Sequence, residues 1–288
     1  MQPEVPLPTV LLIALGVLTV GLGAWALLRR DRPAAPWLRY LWTFLAVLNV
    51  AAWWSFVAAV WLLALFSFRT LREYFSLVDI RLEDRWGILG AYLSIPFMTI
   101  LIQVDWYGFF IVSIPVYAFI IVPFLVVLGG REAKGTVFSI GAIDFGLFLF
   151  VYCMGHLGYL LLFRVTWATL FIGGVALANA VEALVIGDRP ISVRRGVGML
   201  AIAVPITMAG AVAVQPYTEF ALGHSLGIGA LIPTLVLAGS YTVTAIERDL
   251  GIAPDALAPG RGQVIHGTRA YLFAAPIVFH YIRYFLEE

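Results

Sequence analysis

The sequence predicts an all-α polytopic integral membrane protein with about ten transmembrane helices, and three observations support this fold class. The 288-residue chain is 62% hydrophobic and only 12% charged, with a mean hydropathy of +0.96. Apolar runs of about twenty residues, long enough to cross a bilayer as helices, recur along it. Basic residues cluster in alternate loops between these runs, and the runs lack the polar–apolar alternation of barrel strands. We expect a single transmembrane domain over residues 1–288.

The apolar runs place the expected spans in order along the chain. The second and third spans form either a short tight pair or one broken helix, and the long sixth span is expected to tilt. Residues 1–35 hold the first span and its basic loop; because no basic segment precedes this span, we interpret it as uncleaved. The ten predicted spans are residues 8–28, 38–51, 53–68, 87–103, 106–128, 137–163, 165–186, 196–213, 221–246 and 270–286.

Arginine and lysine predict the orientation, because short cytoplasmic loops are enriched in them. With ten spans, one set of alternate loops holds all of the 18 basic residues except Arg164 and Arg283. We therefore expect these basic loops to face the cytoplasm, in a bacterial cytoplasmic (inner) membrane. The net charge of +1 argues against a nucleic-acid partner. Cys153 is the single cysteine, which excludes an intrachain disulfide and a cysteine-based metal site.

The most informative stretch lies near the C-terminus. A charged segment, residues 247–249, ends an apolar run, and a glycine-containing loop, residues 258–263, follows it. Glycines let a backbone approach a ligand closely, and backbone N–H groups can hold a phosphate. Arg248, Arg261 and Arg269 add guanidinium groups, which suit phosphate recognition. The stretch therefore predicts an anion site at a membrane surface.

This stretch resembles the C-terminal signature of the phosphatidate cytidylyltransferase (CDP-diacylglycerol synthase) family. That signature reads G-D-x-x-x-S-x-x-K-R-D-x-G-x-K-D, then P-G-H-G-G-x-x-D-R-x-D-S, and closes with F-x-A-P. The resemblance implies a CDP-diacylglycerol synthase-like fold, with residues 170–288 as the family-like site region. The matching residues are Gly239, Arg248, Asp249, Gly251, Pro259, Gly260, Gly262, Phe273, Ala275 and Pro276.

The positions that carry the family's chemistry are changed in this chain. The family's first acid falls on Ser240, its lysine on Glu247 and its histidine on Arg261. Its next two acids fall on His266 and Arg269. The family holds the divalent cations of CTP with oxygen ligands, and histidine with arginine cannot form an all-oxygen magnesium site. The resemblance implies a divergent member with a degenerate catalytic motif, which leaves enzyme activity undecided.

Polar residues of the seventh predicted span resemble a second family segment, S-D-x-x-A-Y, whose aspartate is an active-site acid. The alignment puts this aspartate on Ala180, beside Asn179, and leaves Glu182 as the nearest carboxylate. Asn179 and Glu182 are three residues apart and share a helix face. We interpret Glu182 as a displaced acid, a polar cavity contact or a helix-packing residue, because a buried glutamate needs a partner.

Three further segments are candidates, each with a structural alternative. Arg195 stands where the family's S-P-x-K-T-x-E-G segment has its lysine, and an ordinary basic loop explains it as well. His156 lies about 18 Å along the sixth span from Asp144 and is either a cavity group or a neutral imidazole between helices. Arg72 and Glu73 either orient a headgroup or form a helix end that snorkels to the interface.

These observations lead to one main hypothesis and two alternatives. The chain binds an anionic phospholipid such as phosphatidate in a cytoplasm-facing cavity, without metal-dependent CTP chemistry or a cofactor. The sequence does not decide whether the protein forms a homodimer. Alternatively, it is an active CTP:phosphatidate cytidylyltransferase whose Mg²⁺ is held by Glu182, Asp249 and Asp255, or a lipid or small-solute transporter on the same scaffold. The expected phosphate-binding residues are Arg195, Arg248, Gly260, Arg261, Gly262, His266 and Arg269, and the expected polar cavity residues are Asn179, Glu182 and His156.

Overall fold

A computed structural model describes the chain as a bundle of helices. The described residues between 13 and 28 are helical, and Trp42 donates a hydrogen bond of 2.6 Å from its indole to the Thr19 hydroxyl. No β-strand occurs in the part of the chain that is described, beyond isolated bridges of Ala258 with Arg261 and Gly262. The structure describes residues 13, 16–21, 23–24, 28, 36–129, 133–187, 192–252, 257–258 and 260–286.

The described residues between 36 and 286 form nine helices. Six of them, α3 to α8, are each long and apolar enough to cross a membrane. The expectation of a helical membrane protein is therefore confirmed, whereas the count of ten spans and the CDP-diacylglycerol synthase-like fold stay predictions. The helices are α1 Pro36–Trp53, α2 Phe56–Leu77, α3 Arg85–Gln103, α4 Tyr107–Gly129, α5 Thr136–Phe163, α6 Val165–Val185, α7 Val193–Val214, α8 Leu222–Asp249 and α9 Gln263–Phe285.

Two helices extend well beyond the apolar runs that predict them. The third predicted span ends at residue 68, but α2 continues to Leu77; the last predicted span begins at residue 270, but α9 begins at Gln263. The added turns carry charged residues, including Glu73 and Arg269. A hydropathy pattern places the end of a span at the first charged residues. The helix itself can continue beyond that point if its polar side chains form hydrogen bonds or ion pairs.

The second and third predicted spans form a tight pair of helices. Trp54 and Ser55 alone separate α1 from α2. Ser55 adopts an extended backbone and its hydroxyl accepts a hydrogen bond of 3.4 Å from the Ala58 N–H. This is the cap that begins many helices, so the chain breaks here and does not continue as one bent helix.

The turns between helices alternate between two ends of the bundle. The turns after α2 and α4 meet where Arg81 donates to the Lys134 carbonyl at 2.6 Å. The turns after α5 and α7 meet at the other end, where Arg164 and Glu219 form an ion pair of 2.8 Å. We call the end with the turns after α2, α4, α6 and α8 the basic end and the other the opposite end. That the basic end faces the cytoplasm remains a prediction.

Helix α9 lies at the centre of the packing. It contacts α8 most extensively and also touches α1, α2, α5 and α6. Small side chains allow neighbouring backbones to approach closely, which is how helices in a membrane gain packing energy. The start of α9 thereby reaches the charged ends of α2, α6 and α8. Its fully buried residues include Ala270, Ala274, Ala275, Val278 and Phe279.

Candidate functional site

A group of buried polar side chains lies at the basic end, where α6, α8 and α9 meet. Glu182 comes from the last turns of α6, and its carboxylate accepts two hydrogen bonds from other helices. The Ser240 hydroxyl of α8 donates to it at 2.8 Å, and the Arg269 guanidinium of α9 donates at 3.1 Å. Glu182 is only 2% exposed, so this carboxylate needs its partners. Arg269 is thus the charged partner that we expect a buried Glu182 to need.

A second carboxylate pairs with an imidazole one turn nearer the surface. The Glu247 oxygens of α8 lie 3.0 and 3.2 Å from Nδ1 of His266 on α9. An ionised carboxylate only accepts hydrogen bonds, so Nδ1 carries the proton and donates to Glu247. A guanidinium nitrogen of Arg269 lies 3.2 Å from the same Nδ1. Nδ1 of His266 and the guanidinium nitrogen of Arg269 are then both hydrogen-bond donors, so they pack against each other without forming a hydrogen bond.

We call Glu182, Ser240, Glu247, His266 and Arg269 the ion network. It joins three helices through two carboxylates, one guanidinium, one imidazole and one hydroxyl. Each carboxylate has a basic partner on α9: the Arg269 guanidinium compensates the charge of Glu182, and the His266 imidazole donates a hydrogen bond to Glu247. Buried charges are stable only when they are paired and hydrogen-bonded, and this arrangement meets that condition.

Gly239 allows α8 and α9 to approach each other at the ion network. A Cβ atom at this position would collide with the backbone carbonyl of Arg269. A backbone atom of a packed helix cannot move aside easily, so the close approach depends on glycine. The match of Gly239 to the family signature therefore has a packing reason in this chain.

The glycine loop before α9 is held by Glu73 of α2. The Glu73 carboxylate accepts hydrogen bonds from the N–H groups of Gly260 at 2.9 Å, Val264 at 2.7 Å and Ile265 at 2.9 Å. Gly262, with φ of 85°, directly precedes α9 at the capping position and has no side chain that could cap the helix. Glu73 therefore supplies the negative charge that a helix N-terminus favours. The Gly260 N–H, which the sequence assigns to a phosphate, donates to this internal carboxylate.

The remaining predicted phosphate-binding residues lie around the ion network with different exposure. Arg248, in the last turn of α8, and Arg261, in the glycine loop, are exposed. Arg195 lies in the first turn of α7, is half-buried and has a polar or electrostatic partner. Arg248 and Arg261 therefore offer guanidinium groups to a ligand at the surface, whereas His266 and Arg269 are engaged within the protein.

The metal hypothesis stays a prediction, because one of its three carboxylates cannot be placed. Glu182 is engaged by Arg269 and Ser240, Asp249 is exposed at the end of α8, and Asp255 lies outside the described residues. Within the described ranges, no three His, Cys, Asp or Glu side chains form a group that could hold a metal ion.

The polar cavity residues predicted from the sequence fall into two places. Asn179 is half-buried on α6, one turn before Glu182. His156 is fully buried among Phe110, Tyr152 and Phe279, and its Nδ1–H donates to the Tyr152 carbonyl at 2.8 Å. None of these contacts belongs to the ion network. His156 thus packs among aromatic side chains and bonds within its own helix, while its Nε2 has no hydrogen-bond partner among the described residues. Its assignment to a polar cavity stays a prediction.

Sequence reasoning missed two features of this site. One is the role of Glu73 as the cap of the glycine loop, which a helix start lacking its own capping side chain could have signalled. The other is the pairing inside the ion network. Relative to the family signature, Glu247 replaces a lysine while His266 and Arg269 replace acids, and this reciprocal reversal of sign is the signal that the two helices face each other.

Comparisons with known proteins place the chain beside an uncharacterized relative. No family model matches the chain, and no solved structure matches it. It is similar to the uncharacterized protein YnbB of Escherichia coli (strain K12). The two sequences are 26% identical, and the similarity covers 82% of this chain and 87% of YnbB. This relative indicates neither an activity nor a ligand, so the cytidylyltransferase resemblance stays a prediction.

Proposed function

We propose that this chain is a membrane protein that binds the phosphate of an anionic phospholipid at its basic end and does not carry out CTP chemistry. The observation that carries this proposal is the ion network, whose carboxylates are already bound to basic groups of the protein. The resemblance to phosphatidate cytidylyltransferases favours phosphatidate as the lipid. The role of such a protein is to regulate, scaffold or move that lipid.

The contacts of the two carboxylates favour a site that works without a metal ion. Magnesium prefers six oxygen ligands, mainly carboxylates and waters. A magnesium ion at Glu182 would have to displace Arg269 and Ser240 from the carboxylate. Separating a buried ion pair leaves an uncompensated charge, which costs about 3–5 kcal/mol. The positive charge of Arg269 therefore balances Glu182 in place of a metal ion.

The exposed arginines favour a phosphate ligand. Arg248 and Arg261 lie on the two segments that border the ion network, α8 and the glycine loop. A guanidinium can donate two parallel hydrogen bonds to a phosphate, and it gains about 1 kcal/mol beside an anionic membrane surface. Arg269 and Glu73 act indirectly, because they fix α9 and its loop in place.

Native mass spectrometry of the purified chain tests this proposal with phosphatidate as the probe. We expect Arg248→Ala and Arg261→Ala each to retain about fivefold less phosphatidate than the wild type, because each loses one charged phosphate contact. Arg164→Ala is the matched control, since Arg164 is an exposed arginine of the opposite end. Equal retention of phosphatidate by all four proteins would refute the proposal.

A second candidate is an enzyme that acts on a phosphate ester, and the Glu247–His266 pair favours it. A carboxylate that orients an imidazole through Nδ1 leaves Nε2 available to accept a proton from water or a hydroxyl. His266 is 18% exposed, so a substrate at the basic end can reach it. The cytidylyl transfer implied by the resemblance belongs to this candidate.

A turnover assay separates the two candidates. Purified protein is incubated with labelled CTP, phosphatidate and magnesium, and both CDP-lipid and released phosphate are measured. Under the binding proposal, the wild type gives no more product than Glu247→Gln. Product that depends on Glu247 would replace the binding proposal with the enzyme. The transporter alternative has its own test, which is flux of the lipid or a solute across proteoliposomes.

A further inference from the structure

A crevice in the half of the bundle nearest the opposite end is separate from the ion network. It has a volume of about 320 Å³, within the range of small-molecule sites, and lies between α6, α7 and α8 with α9 behind them. Its wall on α6 includes Gly173 and Leu177, which are exposed, so the crevice opens sideways between helices. Aliphatic and aromatic side chains form most of the remaining lining.

Most polar side chains in this lining are bound to the protein backbone. Thr207 donates to the Gly229 carbonyl at 2.6 Å, Thr169 to the Val165 carbonyl at 2.7 Å, and Thr218 to the Gln215 carbonyl at 2.8 Å. These hydroxyls have used their protons, so they have no donor left for a ligand. The threonines therefore add to the wall of the crevice without attracting a polar group into it.

Ser225 differs from these threonines. Its side chain lines the crevice, is 3% exposed, and its Oγ has no hydrogen-bond partner among the described residues. A buried hydroxyl without a partner costs free energy, which a ligand with an acceptor oxygen would recover. The crevice thus offers one hydrogen-bond donor within an apolar surface.

The position of Ser225 along α8 orients this donor. Ser225 lies in the first turn of α8, at the opposite end, whereas Ile228 and Ile232 lie one and two turns deeper. From Ser225 to Ile232 the crevice follows the helix for about 10 Å. A ligand that fits has an acceptor oxygen near the membrane boundary and a hydrocarbon chain directed inward. The ester-linked acyl chain of a membrane lipid has this arrangement.

We propose that this crevice binds one acyl chain of a membrane lipid from the leaflet at the opposite end, with the ester carbonyl accepting a hydrogen bond from Ser225. The proposal goes beyond the headgroup site, since the crevice involves none of the arginines of the basic end. A polar solute would leave its own groups unpaired against this lining, which argues for a lipid chain.

Photo-crosslinking in vesicles tests the proposal on the full-length protein. The vesicles contain phosphatidylethanolamine and phosphatidylglycerol, with a trace of phosphatidylethanolamine that carries a diazirine on an ester-linked acyl chain. A second preparation uses the same probe with an ether linkage, which lacks the carbonyl. Peptide mass spectrometry then measures labelling of α6, α7 and α8 in the wild type. We expect the ester probe to label these helices about fivefold more than the ether probe, because one hydrogen bond is lost.

Two variants separate a lipid site from general lipid exposure. Ser225→Ala should label equally with the ester and ether probes, because no donor is left to distinguish them. Gly173→Leu should fill the crevice and remove most labelling with either probe, since Gly173 lines the crevice and a Cβ atom there meets no atom within 4 Å. Gly141→Leu is the matched control: Gly141 is an exposed helix glycine with the same open surroundings on α5.

Three outcomes would overturn the proposal. One is equal labelling of the wild type by the ester and ether probes. Another is unchanged labelling in Gly173→Leu. The third is a protein–protein crosslink at these helices in place of a lipid adduct, which would assign the crevice to a second copy. Each result is independent of phosphatidate retention at the basic end, so failure here and failure of the proposed function are distinguishable.

Discussion

The basic end of the bundle holds charged side chains that are buried and paired, whereas the opposite end holds an exposed ion pair. At the basic end, Glu73, Glu182 and Glu247 are each at most 5% exposed, and each accepts hydrogen bonds from a different helix or loop. At the opposite end, Arg164 and Glu219 form a pair whose side chains are 49% and 72% exposed. Burial raises both the cost of a charge and the strength of its pairing, so only the first set holds helices together.

The difference bears on where each proposed ligand belongs. The basic end combines buried, compensated charges with exposed arginines, and this suits a charged headgroup. The half of the bundle at the opposite end has an apolar crevice whose lining includes the Ser225 hydroxyl, unpartnered among the described residues, and this suits the ester-linked chain of a lipid. If both proposals hold, the protein contacts lipid at both ends, by electrostatics at one and by apolar packing at the other.

The largest expected effect comes from removing the cation of the ion network. Arg269→Ala leaves Glu182 buried with Ser240 alone, and we expect the free energy of unfolding to fall by about 3–5 kcal/mol. Thermal unfolding in detergent, followed by size-exclusion chromatography, measures this loss. Arg261→Ala, an exposed arginine near the start of the same helix, should change stability by less than about 0.5 kcal/mol.

A compensating change sharpens this first prediction. Adding Glu182→Gln to Arg269→Ala removes the unpaired charge, so the double variant should recover part of the lost stability. If Arg269→Ala unfolds at the same temperature as Arg261→Ala, the ion network does not stabilise the basic end, and the contrast with the opposite end fails.

The second prediction compares one glutamate from each end. Glu73→Gln removes the charge that three backbone N–H groups share, and we expect a loss of about 2–3 kcal/mol. Glu219→Gln makes the same chemical change in an exposed ion pair and should cost less than about 0.5 kcal/mol. Hydrogen exchange should also show faster exchange of the Gly260, Val264 and Ile265 amides in Glu73→Gln. Equal stability losses in the two variants would contradict the comparison.

The smallest expected effect concerns pH at the turn before α3. Burial raises the pKa of the Asp84 carboxyl, but hydrogen bonding by Arg81, at 2.8 Å, and by the Ser139 side chain, together with the charge of Arg81, leaves the pKa below its ordinary value. A lowered pKa stabilises the folded protein above the unfolded pKa of about 4, and this contribution is lost as pH falls through the folded value.

Comparison with Asp84→Asn isolates this group from the other carboxylates. The stability difference between wild type and Asp84→Asn should be widest above about pH 4 and should close in more acidic solution. Unfolding temperatures across that pH range measure it. A difference that stays constant at every pH would show that Asp84 acts through packing and not through its charge.

Much of the fold follows from the sequence because hydropathy is a local property. The apolar runs place the helices within a few residues for most spans, since each run must leave water and satisfy its backbone internally. The apolar runs do not include the added turns of α2 and α9, because Glu73 and Arg269 become stable at their positions only through contacts with distant segments. A rule that reads one segment at a time cannot include such contacts.

In the candidate site, too, single residues could be selected from the sequence but their partners could not. Glu182 could be selected from the sequence as a buried acid in need of a partner, but Arg269 lies 87 positions away, and only the packing of α9 against α6 and α8 pairs them. The sequence alone predicted a helical membrane protein, because the burial of long apolar runs depends on composition. The tertiary structure decided which charges are compensated and which buried hydroxyls, Ser225 among them, have no partner in the described part of the chain, because hydrogen bonds are short and directional and depend on how the helices pack.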